Sequence, residues 1–119
     1  MSERGTTNGN ARGSSYERRR RRAWIMEAWA SDVRNFTRCY RCGVLLYNPD
    51  DEAVEVGTGL GYPARWVIRE GNFYTASALT IDRIVPGCQG GTYRRNNIRP
   101  ACGPCNSEAG GGTRRKGKV

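Results

Sequence analysis

Two Cys-x-x-Cys pairs constrain the fold of this sequence more than any other feature. The first pair is Cys39 with Cys42, and the second is Cys102 with Cys105. Each pair can present two thiolates from a tight turn, so the two pairs together can complete a tetrahedral shell around one zinc ion. Such a shell has no open position, and its zinc would therefore stabilise the fold without taking part in chemistry. The spacing predicts a small domain stapled by structural Zn²⁺.

The composition explains why such a chain would need a staple. The 119 residues are only 37% hydrophobic, and the mean hydropathy of -0.73 indicates a thin core for a single domain. Redox-active dithiols or free thiols are the alternatives to zinc, and Cys88 is interpreted as a free thiol in a Gly-rich loop. No stretch approaches the about 20 apolar residues of a membrane span, and the N-terminus lacks a secretory signal. We therefore expect a cytoplasmic protein with no membrane partner.

The charge of the chain favours a polyanionic partner. With 20 Lys and Arg against 11 Asp and Glu, the net charge is +9, which favours DNA or RNA. A run of arginines occupies the first turns of a predicted helix over residues 15–35, which begins with a Ser14–Glu17 capping box. The run comprises Arg18, Arg19, Arg20, Arg21 and Arg22. Because the helix dipole already makes this end positive, the run predicts an anionic partner, with a merely solvated face as the alternative.

Composition and periodicity divide the chain into three parts. We predict a disordered N-terminal arm over residues 1–14, one domain over 15–111 and a flexible basic tail over 112–119. Trp24, Trp29 and Phe36 are interpreted as core residues of the helix rather than base-stacking platforms. Strands are predicted over 64–70, 72–76, 78–85 and 97–101, short apolar segments lie at 44–47 and 53–56, and a short helix follows the second cysteine pair. The segments 64–70 and 72–76 should pair as a hairpin.

The stretch from Leu79 to Asn106 contains an ordered set of motifs. A strand ends in Ile81-Asp82-Arg83-Ile84-Val85-Pro86, a Gly90-Gly91 loop follows, then Asn97-Ile98, and finally Cys102-Gly-Pro-Cys105-Asn106. This order resembles the HNH endonuclease family found in bacteriophages and homing elements. The resemblance is close from Leu79 to about Gly111 and extends to the first cysteine pair. It implies an α+β fold, a zinc-stapled ββα-metal (His-Me finger) domain, here with an N-terminal basic helix and an extra β-hairpin.

The resemblance also implies a catalytic site. Asp82 and Asn106 would bind a catalytic Mg²⁺ or Mn²⁺ ion, and Asn97 would tie the loop together and orient the general base. The family has a histidine as this base, but Arg83 stands at that position. A guanidinium has a pKa above about 12 and cannot accept a proton from water near neutrality. Arg83 could instead stabilise the negative charge that builds on the phosphate during hydrolysis.

The identity of the base is open at the sequence level, because the chain contains no histidine. The candidates are a water molecule on the catalytic metal, a carboxylate such as Glu108, a phenol such as Tyr93, or a group from a partner protein. A positioned general base contributes about 10²-fold to 10⁴-fold in rate. Its loss would therefore slow an HNH enzyme without removing what the metal contributes.

The leading functional prediction is a metal-dependent endonuclease that hydrolyses phosphodiester bonds in DNA, with RNA as a second choice of substrate. Basic side chains would bind the backbone with little sequence specificity. They are Arg18, Arg19, Arg20, Arg21, Arg22, Arg94, Arg95, Arg114, Arg115, Lys116 and Lys118. The resemblance places such a protein in the cytoplasm of a bacterial host cell.

Two alternatives stand beside this prediction. The first is a catalytically impaired or inactive DNA- or RNA-binding zinc module, in which the nuclease scaffold persists without the base. In a purely structural interpretation of the same stretch, Asp82 only caps a turn of a zinc-stapled hairpin and pairs with Arg83 or Arg99. The second is an accessory role in phage genome packaging beside a terminase, because small nucleases of this family often work with terminase subunits. The oligomeric state and the role of residues 48–65 are open.

Overall fold

The computed structural model describes residues 13–57 and 59–108. The predicted arm over 1–14 therefore lies outside it except for two residues, and the predicted tail, with Arg114, Arg115 and Lys116, lies wholly outside. The elements in chain order are α1 (Ser15–Ala28), β1 (Thr37–Arg38), β2 (Leu45–Tyr47), β3 (Glu55–Val56), β4 (Arg65–Arg69), β5 (Asn72–Ala78), β6 (Thr80–Arg83), β7 (Ile98–Ala101) and α2 (Gly103–Asn106). None of the helices in these ranges is long and apolar enough to cross a membrane.

The start of α1 is the capping box that the sequence predicts. The Glu17 backbone N–H donates to Ser14 Oγ at 3.1 Å, and the Ser14 N–H donates to Glu17 Oε1 at 3.2 Å. These reciprocal bonds satisfy two backbone donors that the first turn of a helix leaves without partners. The Glu17 carboxylate also places a negative charge among the arginines, where the helix dipole favours it.

The predicted end of this helix is wrong, because α1 stops at Ala28 instead of continuing to residue 35. Ser31 Oγ lies within hydrogen-bond distance of the carbonyls of Val33 and Phe36, and Thr37 Oγ1 donates to the Trp29 carbonyl. Short polar side chains that bond to nearby backbone compete in this way with helical hydrogen bonds. The apolar residues that continue the helical spacing past Ala28 therefore lie in a compact turn and not in the helix.

A mixed five-stranded sheet forms one layer of the fold, in the order β1-β2-β5-β4-β3. The predicted hairpin of β4 and β5 is confirmed, with Arg69 opposite Asn72 across a turn at Glu70 and Gly71. Both turn residues have positive φ, 55° and 80°, as tight hairpin turns with the right-handed strand twist require. The hairpin is the centre of a larger sheet, because β5 also pairs in parallel with β2. Local sequence patterns cannot reveal such a distant pairing.

The second hairpin and α2 form a ββα unit. Strands β6 and β7 are antiparallel, with Thr80 opposite Ala101 and Asp82 opposite Arg99. Only Leu79 separates β5 from β6, and its backbone N–H donates to the Tyr47 carbonyl at 3.0 Å. The hairpin is thereby fixed to the sheet. The fold class is α+β, as predicted.

Two apolar clusters hold the elements together. The larger cluster joins α1, the sheet, the second hairpin and the cysteine turns, and it contains Ile25, Cys39, Leu46, Leu79, Ile98, Ala101 and Cys102. The smaller cluster lies under the first hairpin and contains Phe36, Tyr47, Val67 and Ala76. Phe36 is buried and Trp24 packs against the larger cluster, but Trp29 is 41% exposed, so its assignment to the core is wrong. The exposure follows from the early end of α1.

We expect Ile25→Ala to detach α1 from the domain. Ile25 is the only buried side chain of this helix and has 0% exposure. Truncation of a fully buried Ile typically lowers the free energy of unfolding by about 2–5 kcal/mol. Urea unfolding should show this loss, whereas Ile84→Ala, at a side chain that is 45% exposed, should change the value by less than about 1 kcal/mol. Equal losses for the two variants would contradict the packing of α1 on the larger cluster.

Candidate functional site

The four cysteines of the two pairs meet in space. Their Sγ atoms all lie within 4.8 Å of one another, and Cys42 Sγ is 3.8 Å from Cys102 Sγ. A tetrahedral ion with Zn–S bonds of about 2.3 Å separates its sulfurs by about 3.8 Å, so the spacing fits a single ion. The turns are closed locally, with the Gly43 N–H donating to the Cys39 carbonyl at 3.0 Å and the Asn106 N–H donating to that of Cys102 at 3.0 Å. The residues present therefore fit a metal site.

The pKa shifts of the thiols reflect how closely the four side chains are packed. Burial opposes ionisation of Cys39, but backbone N–H groups of Cys42, Cys102 and Arg41 point at its sulfur and lower its pKa to about 6. Burial raises the pKa of Cys102 and of Cys105, and hydrogen bonds with neighbouring thiols raise that of Cys105 further. Four thiolates at this spacing would repel one another, and a divalent cation removes that repulsion because coordinated thiols are deprotonated.

Asp82 lies on β6 and is 3% exposed. Its Oδ2 atom accepts a hydrogen bond at 2.7 Å from Nε of Arg99, the residue opposite it on β7. The Arg99 guanidinium in turn stacks on the Tyr40 ring, with its Cζ 3.7 Å from the ring centroid. Burial raises the pKa of the Tyr40 phenol, and the Asp82 charge adds to this shift. Asp82 thus makes the pairing with Arg99 that the purely structural interpretation anticipates.

Asn106 lies at the end of α2 and reaches back to β6. Its Nδ2 donates to Thr80 Oγ1 and to the Ile81 carbonyl, both at 3.2 Å. These two bonds orient the amide so that its oxygen is the atom that can face a cation. The structure brings Asn106 to the strand that carries Asp82, two residues from Thr80. A carboxylate and an amide oxygen are donors that Mg²⁺ and Mn²⁺ accept, although Asp82 shares its charge with Arg99.

Asn97 joins the two sides of the loop between β6 and β7. Its Oδ1 accepts from the Val85 N–H at 2.8 Å, while its Nδ2 donates to the Val85 carbonyl at 3.1 Å and the Thr92 carbonyl at 2.7 Å. The Asn97 carbonyl also accepts from the Ile84 N–H at 2.8 Å. One side chain therefore satisfies three backbone groups that are not part of a sheet.

Arg83 ends β6 and packs on the Tyr93 ring, with its Cζ 4.4 Å from the centroid. The guanidinium also lies against Gly87, where an added Cβ would come within 2.8 Å of both terminal nitrogens. Because successive side chains of a strand point to opposite faces, Arg83 and Asp82 leave β6 on different sides. The side chain at the position of the family's base is thus held close to the loop.

The two side chains considered as bases lie in different places. Glu108 pairs with Arg41 of the first cysteine turn at 2.6 Å, and this hydrogen bond raises the pKa of Arg41. Tyr93 lies beside Arg83 and carries a second guanidinium, that of Arg21, whose Cζ is 4.7 Å from the ring centroid. Of these two candidates, only Tyr93 contacts the residue at position 83.

The arginines at the start of α1 have different partners and do not form a single surface. Arg22 makes a bidentate ion pair with Asp50, with N···O distances of 2.7 and 3.0 Å, and so fixes the helix to the turn after β2. Arg21 stacks on Tyr93, and burial lowers its pKa. The remaining contacts are Arg18 with the Gly13 carbonyl and Ser15 Oγ, Arg20 over the Tyr16 ring, and, from the loop, Arg95 over the Trp24 ring. Arg19 and Arg94 are exposed.

A cleft of about 280 Å³ separates α1 from β6. We call it the Asn106 cleft. It is lined by Arg18, Arg21, Arg22, Leu79, Thr80, Ile81, Tyr93 and Asn106. The cleft therefore brings the predicted metal ligand Asn106 together with arginines of α1 and with Tyr93. The sequence predictions had not connected these residues, because they come from three separate segments.

Comparison with known families identifies part of the chain. Residues 69–111 match the family described as HNH endonuclease. The resemblance to HNH endonucleases is confirmed over this segment. The HNH segment contains β5, the ββα unit and the second cysteine pair, whereas α1 and the first pair lie outside it. The match indicates a nuclease or DNA-binding role for the HNH segment.

A search of curated proteins and of solved structures finds no match to this chain.

The sequence predictions missed three residues that contact predicted site residues. Tyr40 supports Arg99, Asp50 pairs with Arg22, and Thr80 orients Asn106. The only local signal for any of them is that Tyr40 stands inside a Cys-x-x-Cys turn.

We expect about one zinc ion per folded chain by elemental analysis. Cys102→Ser should abolish stoichiometric binding, because Cys102 is a buried member of the cluster. Cys88→Ser is the matched control, since Cys88 is exposed and outside the cluster, and it should bind zinc as the natural chain does. A folded natural protein that contains no metal after gentle purification would contradict the site.

We expect Asn97→Ala to loosen the loop between β6 and β7. The substitution removes three hydrogen bonds to backbone groups, and each unsatisfied group costs about 1–3 kcal/mol if it remains buried. Hydrogen exchange should become faster at the Val85 amide, whose acceptor is Asn97 Oδ1. Asn96→Ala, at the exposed neighbouring residue, should leave that exchange rate unchanged.

Proposed function

We propose that this protein is an HNH-type endonuclease that hydrolyses phosphodiester bonds in DNA with one divalent metal ion. Asp82 and Asn106 would hold the ion, Mg²⁺ or Mn²⁺. The observation that carries the proposal is the attachment of the Asn106 amide to β6, two residues from Asp82, inside the HNH segment. An ion held by only two protein oxygen donors would keep most of its coordination positions available for water and phosphate.

The residues that contact Asp82 and Asn106 have defined roles in this proposal. Arg99 holds the Asp82 carboxylate in place through the 2.7 Å bond to Oδ2. Thr80 and the Ile81 carbonyl hold the Asn106 amide. When bound, the divalent ion would polarise the phosphate and stabilise the leaving oxygen. The protein supplies the orientation of its ligands, which a preorganised hairpin achieves without further ordering.

Arg83, which leaves β6 on the other side from Asp82, would act on the charge of the phosphate from the side of the loop and not on the proton of water. A guanidinium presents fixed N–H donors, and donors aimed at a phosphate stabilise the charge that builds on it during hydrolysis. Tyr93 is the candidate base that contacts Arg83, at 4.4 Å from its Cζ to the ring centroid. We propose that the enzyme is slow, because a dedicated histidine base is worth about 10²-fold to 10⁴-fold in rate.

The cysteine cluster would hold structural zinc. Its four sulfurs leave no ligand position open, so this ion would have no role in hydrolysis. It would nevertheless position the site indirectly, because Tyr40 of the first cysteine turn supports the Arg99 side chain that holds Asp82. Loss of zinc should therefore reduce both stability and the order of the Asp82 carboxylate.

A second candidate function is a DNA-binding module on an HNH frame that does not cut. The Asp82–Arg99 ion pair favours this candidate, because it already neutralises the carboxylate that would bind the metal. Arg83 in place of the base favours it as well. The two candidates predict the same fold, the same zinc and the same salt-sensitive DNA binding, and they differ in metal-dependent turnover.

Several finer predictions belong with this proposal. They concern the domain limits at residues 15 and 111, the disordered arm and basic tail, the cytoplasm of a bacterial host, and work beside a phage terminase. They rest on sequence composition and on what the HNH resemblance implies.

Nicking of supercoiled plasmid with added Mg²⁺ or Mn²⁺ tests the nuclease proposal. We expect the natural protein to nick the plasmid, Asp82→Ala and Asp82→Asn to reduce nicking to background, and Arg83→His to raise the rate by about 10²-fold to 10⁴-fold. Asp32→Asn is the control, because Asp32 is an exposed carboxylate paired with Arg38 outside the HNH segment. It should nick at the natural rate.

The same assay can contradict the nuclease proposal. Equal nicking by the natural protein and by both Asp82 variants would contradict the role of Asp82. Nicking by Arg83→His alone would assign the natural protein to the non-cutting candidate. Zinc content near one per chain in every variant would show that a loss of nicking does not come from unfolding.

A further inference from the structure

The Asn106 cleft is one end of a longer groove. A second opening, of about 250 Å³, lies between α1 and the loop at residues 93–95, and it shares Arg21 and Tyr93 with the cleft. A third opening, of about 790 Å³, runs along α1 as far as Trp24 and Arg34, and it shares Arg20 and Arg95 with the second. Because neighbouring openings have lining residues in common, the three adjoin one another along α1, and together we call them the basic groove.

The groove has an excess of positive charge. Seven arginines line it, against three acidic residues. The arginines are Arg18, Arg20, Arg21, Arg22, Arg34, Arg94 and Arg95, and the acids are Glu17, Glu27 and Asp51. Asp51 pairs with Arg69, and Arg22 pairs with Asp50, so neither contributes a full charge to the groove. The remaining arginines focus a positive potential along a concave path.

Two aromatic rings hold arginines in the groove. Tyr93 lies under Arg21, and Trp24 lies under Arg95 at 5.3 Å from Cζ to the ring centroid. A guanidinium stacked on a ring keeps its N–H donors at its edge, where they can bind a phosphate bidentately. Stacking also restricts the side chain before the ligand arrives, so less conformational entropy is lost on binding. The combination of positive charge with aromatic side chains in one groove is a feature of surfaces that bind a nucleic-acid strand.

We propose that one strand of a DNA substrate lies in the basic groove, with Asn106 at one end and Trp24 and Arg34 at the other. Its phosphates contact Arg21, Arg20 and Arg95. The direction of the path rests on the proposed nuclease function, because the Asn106 end is where cleavage would occur. Helix α1, which lies outside the HNH segment, thus forms one wall of the substrate path. Arg19 lines none of the three openings, so the proposal gives it no phosphate contact.

The dependence of binding on salt tests the groove. A fluorescein-labelled single strand and its duplex are titrated with the full chain, without added Mg²⁺ or Mn²⁺, over a range of NaCl. Each phosphate contact that is lost should lower the magnitude of the log K against log[salt] slope by about 0.7 for the single strand and about 0.9 for the duplex. We expect this change for Arg21→Ala and for Arg95→Ala, and the sum of both for the double variant.

Three comparisons make the test specific. Arg21→Lys and Arg95→Lys keep the charge and should keep the slope, because the slope depends on the number of phosphates neutralised and not on the shape of the cation. Arg38→Ala, at an arginine paired with Asp32 and outside the groove, should leave the slope unchanged. Arg19→Ala should change it less than Arg21→Ala. Equal changes of the slope for Arg19→Ala and Arg21→Ala would overturn the proposal. Binding of RNA, without binding of DNA of the same sequence, would overturn it as well.

Photocrosslinking locates the strand independently. An oligonucleotide with a photoreactive base should crosslink to peptides that contain Trp24 or Tyr93, and not to the peptide that contains Phe73, an aromatic side chain that is 66% exposed on the sheet. Crosslinking at Phe73 alone would overturn the proposal. Neither measurement needs turnover, so a natural protein that fails to nick DNA leaves the groove testable. Nicking that is unimpaired in Arg21→Ala and Arg95→Ala would overturn the groove while leaving the nuclease proposal intact.

Discussion

The meeting of the two cysteine turns is the contact on which the rest of the structure depends. Cys39 and Cys102 are buried members of the larger apolar cluster as well as of the metal site, so the staple and the core are one feature. The cluster joins the chain before the sheet to the chain after the second hairpin. In a domain with so little apolar surface, a metal ion held by these four cysteines would contribute stability that burial alone would not supply.

The same contact positions the predicted site residues Asp82 and Asn106. From the first cysteine turn, Tyr40 supports Arg99, and Arg99 holds Asp82; from the second, α2 carries Asn106 to β6. A buried carboxylate needs a partner, because desolvation without one costs several kcal/mol. Arg99 supplies that partner, and its cation also competes with any metal for Asp82. In the proposed function, the balance between these two cations would separate a slow nuclease from a non-cutting DNA-binding module.

Local patterns in the sequence predicted local structure well. The Ser14–Glu17 capping box, the first hairpin and the ββα unit all depend on short-range hydrogen bonding or strand alternation, and each is present. The errors have two sources, which are side-chain bonds to nearby backbone that compete with a helix and pairing between distant segments. Helix α1 stops at Ala28 because Ser31 and Thr37 bond to the backbone of a turn, and Trp29 is exposed as a result. The parallel pairing of β2 with β5 likewise has no local signature.

By itself, the sequence determined the presence of two Cys-x-x-Cys pairs, the order of the HNH motifs and the absence of histidine. These are properties of residue type and spacing. Only the tertiary structure decided which cation pairs with Asp82, which side chain accompanies Arg83, and which arginines of the run line a groove. Arg21 and Arg22 are neighbours in sequence, yet one stacks on Tyr93 and the other pairs with Asp50. The reason is that a helix turns adjacent side chains toward different elements, and those elements come from distant parts of the chain.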